Sequence, residues 1–132
     1  MSASRREARE RALGLLYEAE ARGVDPAAVL EALPVPPDPY AIDLVVGVGD
    51  DQETIDELIR RFAKDWKLER MPAIDRAVLR MAIHELMSCH EVPTGVAISE
   101  AVELATQYST DESGRFVNGM LSRIAAEVRP DS

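Results

Sequence analysis

The sequence has one cysteine, few aromatic residues and no long apolar segment. Because Cys89 is the only cysteine among 132 residues, the chain cannot form an intramolecular disulfide, which is typical of proteins in a reducing compartment. No apolar run approaches the ~20 residues that a membrane-spanning helix needs, and the polar, arginine-rich start does not resemble a signal peptide. We therefore expect a soluble cytoplasmic protein.

The scarcity of aromatic residues, 5% of the sequence, also argues against a β-rich fold, since β-branched residues seldom alternate here with polar ones. Ala, Leu, Glu and Arg instead recur at intervals of three and four residues, the period of an amphipathic helix. A chain of 132 residues suits one domain with a single core. The sequence thus predicts an all-α protein with one domain over residues 1–132.

Caps, prolines and apolar stripes predict seven helices. Gly23 is a usual residue just beyond a helix end, and aspartate followed by proline is a usual helix start. The stretch "PVPPDP" at 34–39 interrupts any helix, because proline removes a backbone donor and fixes φ. The predicted helices are 4–22, 25–33, one containing "YAIDLVVGV", 51–64, one containing "AIDRAVLRMAIHELMSC", one lined by Ile98 to Ala105, and a last one lined by Phe116 to Val128 and capped by Asp111 or Ser113.

The segment "AIDRAVLRMAIHELMSC" is apolar on two faces of the predicted helix. Ile74 and Val78 lie on one stripe, and Leu79 and Ile83 lie on another, on roughly the opposite side. A helix that is apolar on two faces is usually buried between layers. This segment is therefore predicted to be the central helix.

The first predicted helix carries a cluster of arginines on an otherwise acidic chain. The formal net charge is -9, yet four of the 15 Lys+Arg residues lie within residues 5–11. Arg5, Arg6 and Arg9 fall within an arc of about 100° on a helix. Cations near a helix N-terminus oppose the macrodipole, and like charges four residues apart repel, each by a few tenths of a kcal/mol.

The sequence shows no compensation for these arginines, so an anion such as an RNA phosphate is predicted to supply it. Because the rest of the surface is acidic and should repel nucleic acid, binding would be confined to this edge. The plain alternative is a solvated, charged helix face with no ligand.

Three segments together resemble the NusB transcription antitermination family: "RREARERALGLLYEAE" at the start, "AIDRAVLRMAIHEL" in the centre and "VPTGVAISEAVELATQYSTDESGRFVNGML" near the end. They occur in the family's order and at its spacing, over nearly the whole chain. The resemblance implies a NusB-like fold of seven helices, with two small bundles packed around the central helix. It implies no enzymatic activity and no cofactor.

The resemblance also implies a function and its site residues. The chain is expected to bind boxA-type single-stranded RNA of nascent ribosomal RNA transcripts jointly with NusE, a small-subunit ribosomal protein, in an antitermination complex on RNA polymerase. A homodimer that buries the arginine edge is also compatible with the resemblance. The family's arginine-rich RNA-binding motif matches Arg5, Arg6 and Arg9. Its second RNA-contacting region matches Tyr108, Glu112, Arg115 and Phe116, and its positions toward NusE match Tyr17 and Asp75.

Several of these residues have structural alternatives. Phe116 also begins the apolar stripe of the last helix, and Tyr108 suits a helix-end core position. Glu112 is a first-turn acid that complements the helix dipole. Gly119, inside the last helix, costs up to ~1 kcal/mol relative to alanine, which indicates either close helix packing or a direct approach of RNA.

Other residue groups predict no catalytic or metal site. The stretch "VVGVGD" lacks the third glycine and the lysine of a phosphate-binding loop. His84 and His90 are six residues apart and so do not share a helix face, as ligands three or four apart would. Cys89 is interpreted as a partly buried thiol at a helix end. We therefore predict no catalytic residue, no metal and no cofactor.

Two other functions remain open at this point. The same fold occurs at the N-terminus of some ribosomal RNA cytosine methyltransferases, although no methyltransferase domain is expected within these 132 residues. The chain is alternatively a stand-alone protein-interaction bundle whose arginines meet an acidic partner or a second subunit. A preference for one RNA sequence over a scrambled one would separate antitermination from both.

Overall fold

The described part of the chain, residues 4–131 of this computed structural model, consists of helices joined by turns and short loops. Residues 1–3 and 132 of the predicted domain lie outside it. The all-α class is confirmed, and none of the described helices is both long enough and apolar enough to cross a membrane. Six α-helices and one 3-10 helix form within residues 4–131: α1 Arg5–Arg22, α2 Pro26–Glu31, α3 Pro39–Ala63, the 3-10 helix Leu68–Arg70, α4 Ala73–Ser88, α5 Thr94–Tyr108 and α6 Asp111–Val128.

The predicted third and fourth helices form one element, α3. The described residues therefore contain six α-helices where seven were predicted. The backbone of α3 leaves helical geometry at Asp51, with φ -108° and ψ 16°. A new helix was predicted to start at this residue. The chain kinks there and resumes the helix without an intervening loop.

Gly23 ends α1 as predicted, whereas Ser4, predicted as the first residue of the helix, is its N-cap. The Ser4 hydroxyl accepts a hydrogen bond from the Glu7 backbone N–H at 3.1 Å, and the Glu7 carboxylate accepts one from the Ser4 N–H at 3.2 Å. This reciprocal capping box satisfies two N–H groups that have no partner within the helix. Gly23 ends the helix with φ 67°, a left-handed conformation that favours glycine.

The core forms around α4, which contacts α1, α3, α5 and α6. Both of its predicted apolar stripes face the core. Val78, Leu79 and Ile83 are all 0% exposed, and Ile74 is partly buried. The helices α1, α2 and α3 pack against one another, and α5 packs against α6. The predicted arrangement of two small bundles around a central helix is confirmed.

The contact between α5 and α6 depends on a glycine that the sequence did not single out. A Cβ added at Gly114 would lie 2.2 Å from the Thr106 hydroxyl oxygen, whereas one added at Gly119 would meet only a guanidinium nitrogen of Arg123, at 3.4 Å. Close helix packing, one of the two roles predicted for Gly119, is therefore the role of Gly114.

Thr110 caps the first turn of α6. The prediction that Asp111 or Ser113 is the cap is wrong. The Thr110 hydroxyl accepts a hydrogen bond from the Ser113 N–H at 2.9 Å. Thr110 takes this role because its extended backbone, φ -137° and ψ 165°, directly precedes the first helical residue. This turn holds the residues at the junction between α5 and α6.

Candidate nucleic-acid interface

The arginine cluster, defined as Arg5, Arg6 and Arg9, lies on the first two turns of α1. The side chains of Arg5 and Arg6 are 50% and 60% exposed, whereas that of Arg9 is 4% exposed. The three residues of the predicted RNA-binding motif thus divide into two that solvent reaches and one that lies in the protein interior.

Arg9 is held by Glu85 of the central helix. Its Nε lies 3.1 and 3.0 Å from the two Glu85 carboxylate oxygens, and its Nη2 lies 2.9 Å from Oε2. The Tyr40 hydroxyl donates to the same carboxylate. Burial alone would lower the pKa of Arg9, but the hydrogen bonds and the charge of Glu85 outweigh it and raise the pKa. This pair joins α1 to α4 inside the fold.

Arg5 has two weaker partners near the surface. Its Nη1 lies 3.6 Å from Glu91 Oε1, and its guanidinium carbon lies 3.8 Å from the centroid of the Tyr40 ring. The second contact has the geometry of a cation–π interaction. Exposed ion pairs contribute about 0–1 kcal/mol, so another anion can replace Glu91 at little cost.

Arg6 pairs with two carboxylates of α5. Its Nη2 lies 2.7 Å from Glu100 and 2.8 Å from Glu103. The hydrogen bond from Arg6 lowers the pKa of Glu100. Since Arg6 and Glu103 are 60% and 61% exposed, the guanidinium remains accessible to a ligand from solvent.

The expectation that these arginines lack compensation is therefore wrong. Their carboxylate partners come from α4, α5 and the segment between them, 76 to 94 residues further along the chain for Glu85 and Glu100. Such pairs cannot be found by spacing rules within one helix. One signal was available: Glu85 lies in the apolar central segment, and a buried carboxylate requires a cation or hydrogen-bond donors.

The second predicted RNA-contacting region lies at the junction of α5 and α6, where Tyr108, Glu112 and Arg115 are exposed. The Tyr108 hydroxyl donates to Glu10 Oε2 at 2.6 Å, and this hydrogen bond raises the pKa of Tyr108. Glu10 and Arg6 line one narrow cleft between α1 and α5. The junction and the arginine cluster therefore belong to one continuous face.

Phe116 completes the junction together with a residue that the sequence analysis missed. Phe116 is half-buried, and its ring centroid lies 4.7 Å from that of Trp66, with an interplanar angle of 67°. This is the edge-to-face arrangement that aromatic pairs prefer. Trp66, the single tryptophan of the chain, is 37% exposed, so the pair offers an aromatic edge to solvent.

The two residues predicted to face NusE are placed differently. Tyr17 lies on α1 and is 46% exposed, whereas Asp75 on α4 is 0% exposed. Ser113 of α6 donates to Asp75 Oδ2 at 2.9 Å. Tyr17 is thus accessible to a partner, while Asp75 fixes the first turn of α6 against α4.

Cys89 lies at the C-terminal cap of α4 and is buried. Burial raises the pKa of its thiol to about 11. A thiol that stays protonated at neutral pH is a weak nucleophile. The interpretation of Cys89 as a thiol at a helix end is confirmed, although the residue is buried and not partly buried.

Comparison with known proteins settles the family. The sequence profile described as the NusB family matches residues 6–126. The chain belongs to the NusB family. It is 49% identical over 127 residues to the transcription antitermination protein NusB of Kineococcus radiotolerans, and the match covers 93% of each chain. The predicted resemblance is confirmed, and with it the assignment to a family of antitermination factors and not to a family of enzymes.

Solved NusB structures share this fold. NusB of T. maritima superposes with a TM-score of 0.86 at 38% identity, covering 96% of this chain and 94% of that chain. A chain in a crystal structure of the antitermination factors NusB and NusE in complex with dsRNA superposes with a TM-score of 0.80 at 28% identity, covering 93% of this chain and 96% of that chain. A homologue with the NusB fold has thus been crystallised with NusE and RNA.

Proposed function

We propose that this chain binds boxA-type single-stranded RNA of nascent ribosomal RNA transcripts jointly with NusE, and that it acts in the cytoplasm within an antitermination complex on RNA polymerase. The observation that carries the proposal is the continuous face formed by the arginine cluster and the α5–α6 junction. The hydrogen bond between Tyr108 and Glu10, 2.6 Å long, joins its two halves. The crystallised complex of a NusB homologue with NusE and RNA supports it.

In this proposal Arg5 and Arg6 contact the RNA backbone. Their ion pairs are exposed, and pairs of that kind contribute about 0–1 kcal/mol each. A phosphate can therefore displace the carboxylates and gain charge-assisted hydrogen bonds. The acidic surface elsewhere, part of a net charge of -9, confines the RNA to this face.

The role of Arg9 in this proposal is structural, whereas its motif position predicts contact with RNA. Removing one partner of a buried ion pair costs about 3–5 kcal/mol, so direct contact of Arg9 with RNA would require an expensive rearrangement around Glu85. Arg9 instead anchors α1 on α4 and so positions Arg5 and Arg6.

In this proposal the α5–α6 junction contacts the bases of the RNA. Unpaired bases stack on exposed aromatic rings, at about 1–3 kcal/mol per base, and Phe116 with Trp66 and Tyr108 provide such rings. Arg115 supplies a phosphate contact, and the Glu112 carboxylate accepts hydrogen bonds from base amino groups. Gly119, where an added Cβ would meet only the mobile end of the Arg123 side chain, allows close approach of the RNA to α6.

NusE binds elsewhere on the same molecule in this proposal. Tyr17 is 46% exposed on a helix whose three leucines are all buried, and tyrosine is enriched in protein interfaces. Asp75 contributes from beneath the surface by holding α6. RNA and NusE would thus share α1, which accounts for joint binding.

Alanine substitution of Arg5 and Arg6 tests the RNA site. The double variant should bind boxA RNA more weakly, and the slope of log affinity against log salt should fall by about 0.7 for each phosphate that the variant no longer neutralises. The measurement is fluorescence anisotropy with labelled RNA at several salt concentrations.

Arg22→Ala is the matched control for this experiment. Arg22 lies at the other end of α1, is 55% exposed and also has an exposed carboxylate partner, Glu18. The control should keep the affinity of the parent chain. The control removes one positive charge and the double variant removes two. A loss of log affinity in the control half as large as that in the double variant, or larger, would reduce the effect to net charge and would overturn the proposed site.

A further inference from the structure

A group of metal-ligating side chains lies between α3 and the C-terminal end of α4. Asp43, His84 and Cys89 each offer one ligand atom, and the three atoms lie within 4.8 Å of one another. Asp43 Oδ2 is 3.7 Å from Cys89 Sγ and 3.9 Å from His84 Nε2. With metal–ligand bonds of about 2.0–2.3 Å, neighbouring ligand atoms of a tetrahedral site are about 3.3–3.8 Å apart. The group is therefore close to the geometry of a tetrahedral metal site.

The imidazole of His84 is buried without a hydrogen-bond partner among the described residues. His84 is 5% exposed, and neither ring nitrogen has a hydrogen-bond partner among residues 4–131. Leaving a buried polar group unsatisfied costs about 1–3 kcal/mol, and native structures rarely do so. A cation bound to Nε2 would satisfy one of the two nitrogens.

A glycine in α3 makes room for that imidazole. A Cβ added at Gly47 would lie 2.0 Å from His84 Cε1, so any larger residue would displace the ring. Glycine inside a helix costs up to ~1 kcal/mol relative to alanine. The chain thus gives up helix stability at the position that lets His84 lie against α3, one turn from Asp43.

We propose that Asp43, His84 and Cys89 bind a divalent transition-metal ion of the zinc class, with the fourth position open to water. A carboxylate, an imidazole and a thiolate are the ligand types that Zn²⁺ takes in proteins. The two anionic ligands balance the charge of the ion. On binding, the Cys89 S–H bond is replaced by an S–metal bond, and the proton passes to solvent.

The site would tie α3 to the end of α4 and open to solvent through Asp43, whose side chain is 58% exposed. The spacing argument concerns only His84 and His90, which do not share a helix face. It could not find this site, because Asp43 comes from another helix, 46 residues before Cys89.

Titration of the chelator-treated full chain with Co²⁺ tests the site. A tetrahedral Co²⁺–thiolate centre gives visible d–d absorption and a near-ultraviolet charge-transfer band. Both should saturate at one ion per chain and disappear on addition of Zn²⁺. Cys89→Ser should abolish the charge-transfer band, and Asp43→Asn should weaken Co²⁺ binding more than about tenfold. Because Asp43 is exposed, that variant should keep the helical circular dichroism of the parent chain.

Two variants serve as controls. Asp50→Asn removes another exposed carboxylate of α3, and His90→Gln removes the only other histidine; both should leave the titration unchanged. A parent chain without the charge-transfer band would overturn the proposal. So would a band that persists in Asp43→Asn at unchanged affinity, or an equal loss of Co²⁺ affinity in the controls.

Discussion

Arg9 occupies a position of the predicted RNA-binding motif, yet its guanidinium lies in the core against Glu85. The sequence predicts the position of Arg9 on α1 from helical spacing alone. Its burial could not be predicted from spacing within α1, because the partner that permits it is 76 residues away. The same holds for Trp66, whose contact with Phe116 depends on how α6 packs. At the scale of single residues, the sequence therefore predicts which side chains share a surface and not which of them remain accessible.

Glu85→Gln tests the structural role of Arg9. The substitution leaves the guanidinium buried without its counter-charge, so the free energy of unfolding should fall by about 3–5 kcal/mol, as measured by urea denaturation at neutral pH. Glu103→Gln removes the carboxylate of an exposed pair with Arg6 and should change it by less than about 1 kcal/mol. Equal, small effects of both substitutions would show that the Arg9–Glu85 pair does not hold α1.

At the scale of helices, the sequence predicts ends better than contacts. Gly23 ends α1 as predicted, and Ser4, predicted as its first residue, is its N-cap, because helix ends depend on residues close in sequence. Two predicted helices are joined in the structure at the kink at Asp51. Local sequence can indicate that a helix starts there, but it does not show whether a loop precedes that start. The roles of Gly114 and Gly119 depend on the distance between α5 and α6, which no local pattern contains.

The two glycines of α6 provide a matched pair of substitutions. Gly114→Ala should destabilise the protein by about 1–3 kcal/mol, because the added Cβ would overlap the Thr106 hydroxyl. Gly119→Ala should stabilise it by up to ~1 kcal/mol, because alanine favours the helix and the nearest atom belongs to the flexible end of Arg123. Urea denaturation curves measure both changes in the free energy of unfolding. Destabilisation by Gly119→Ala would show that the Arg123 side chain cannot move aside for the added Cβ and would contradict this account.

At the scale of the whole molecule, the proposed function assigns RNA to one face that charge and fold together define. The family resemblance and helical periodicity predict the all-α fold and its central helix. The net charge of -9 predicts that binding is confined to the arginine edge. The carboxylates that cover this edge, Glu91, Glu100 and Glu103, become visible only in the fold. RNA must compete with them, so we expect modest affinity for RNA alone and a need for NusE to complete the interface.

The central claim is that this face selects boxA RNA together with NusE, and a mobility-shift titration tests it most directly. The full chain is titrated against boxA RNA and a scrambled RNA of the same composition, each with and without NusE, at one salt concentration. We predict weak binding to boxA alone, tighter binding when NusE is present, and weaker binding to the scrambled RNA in both cases. Equal affinity for the two RNAs in the presence of NusE would contradict the account.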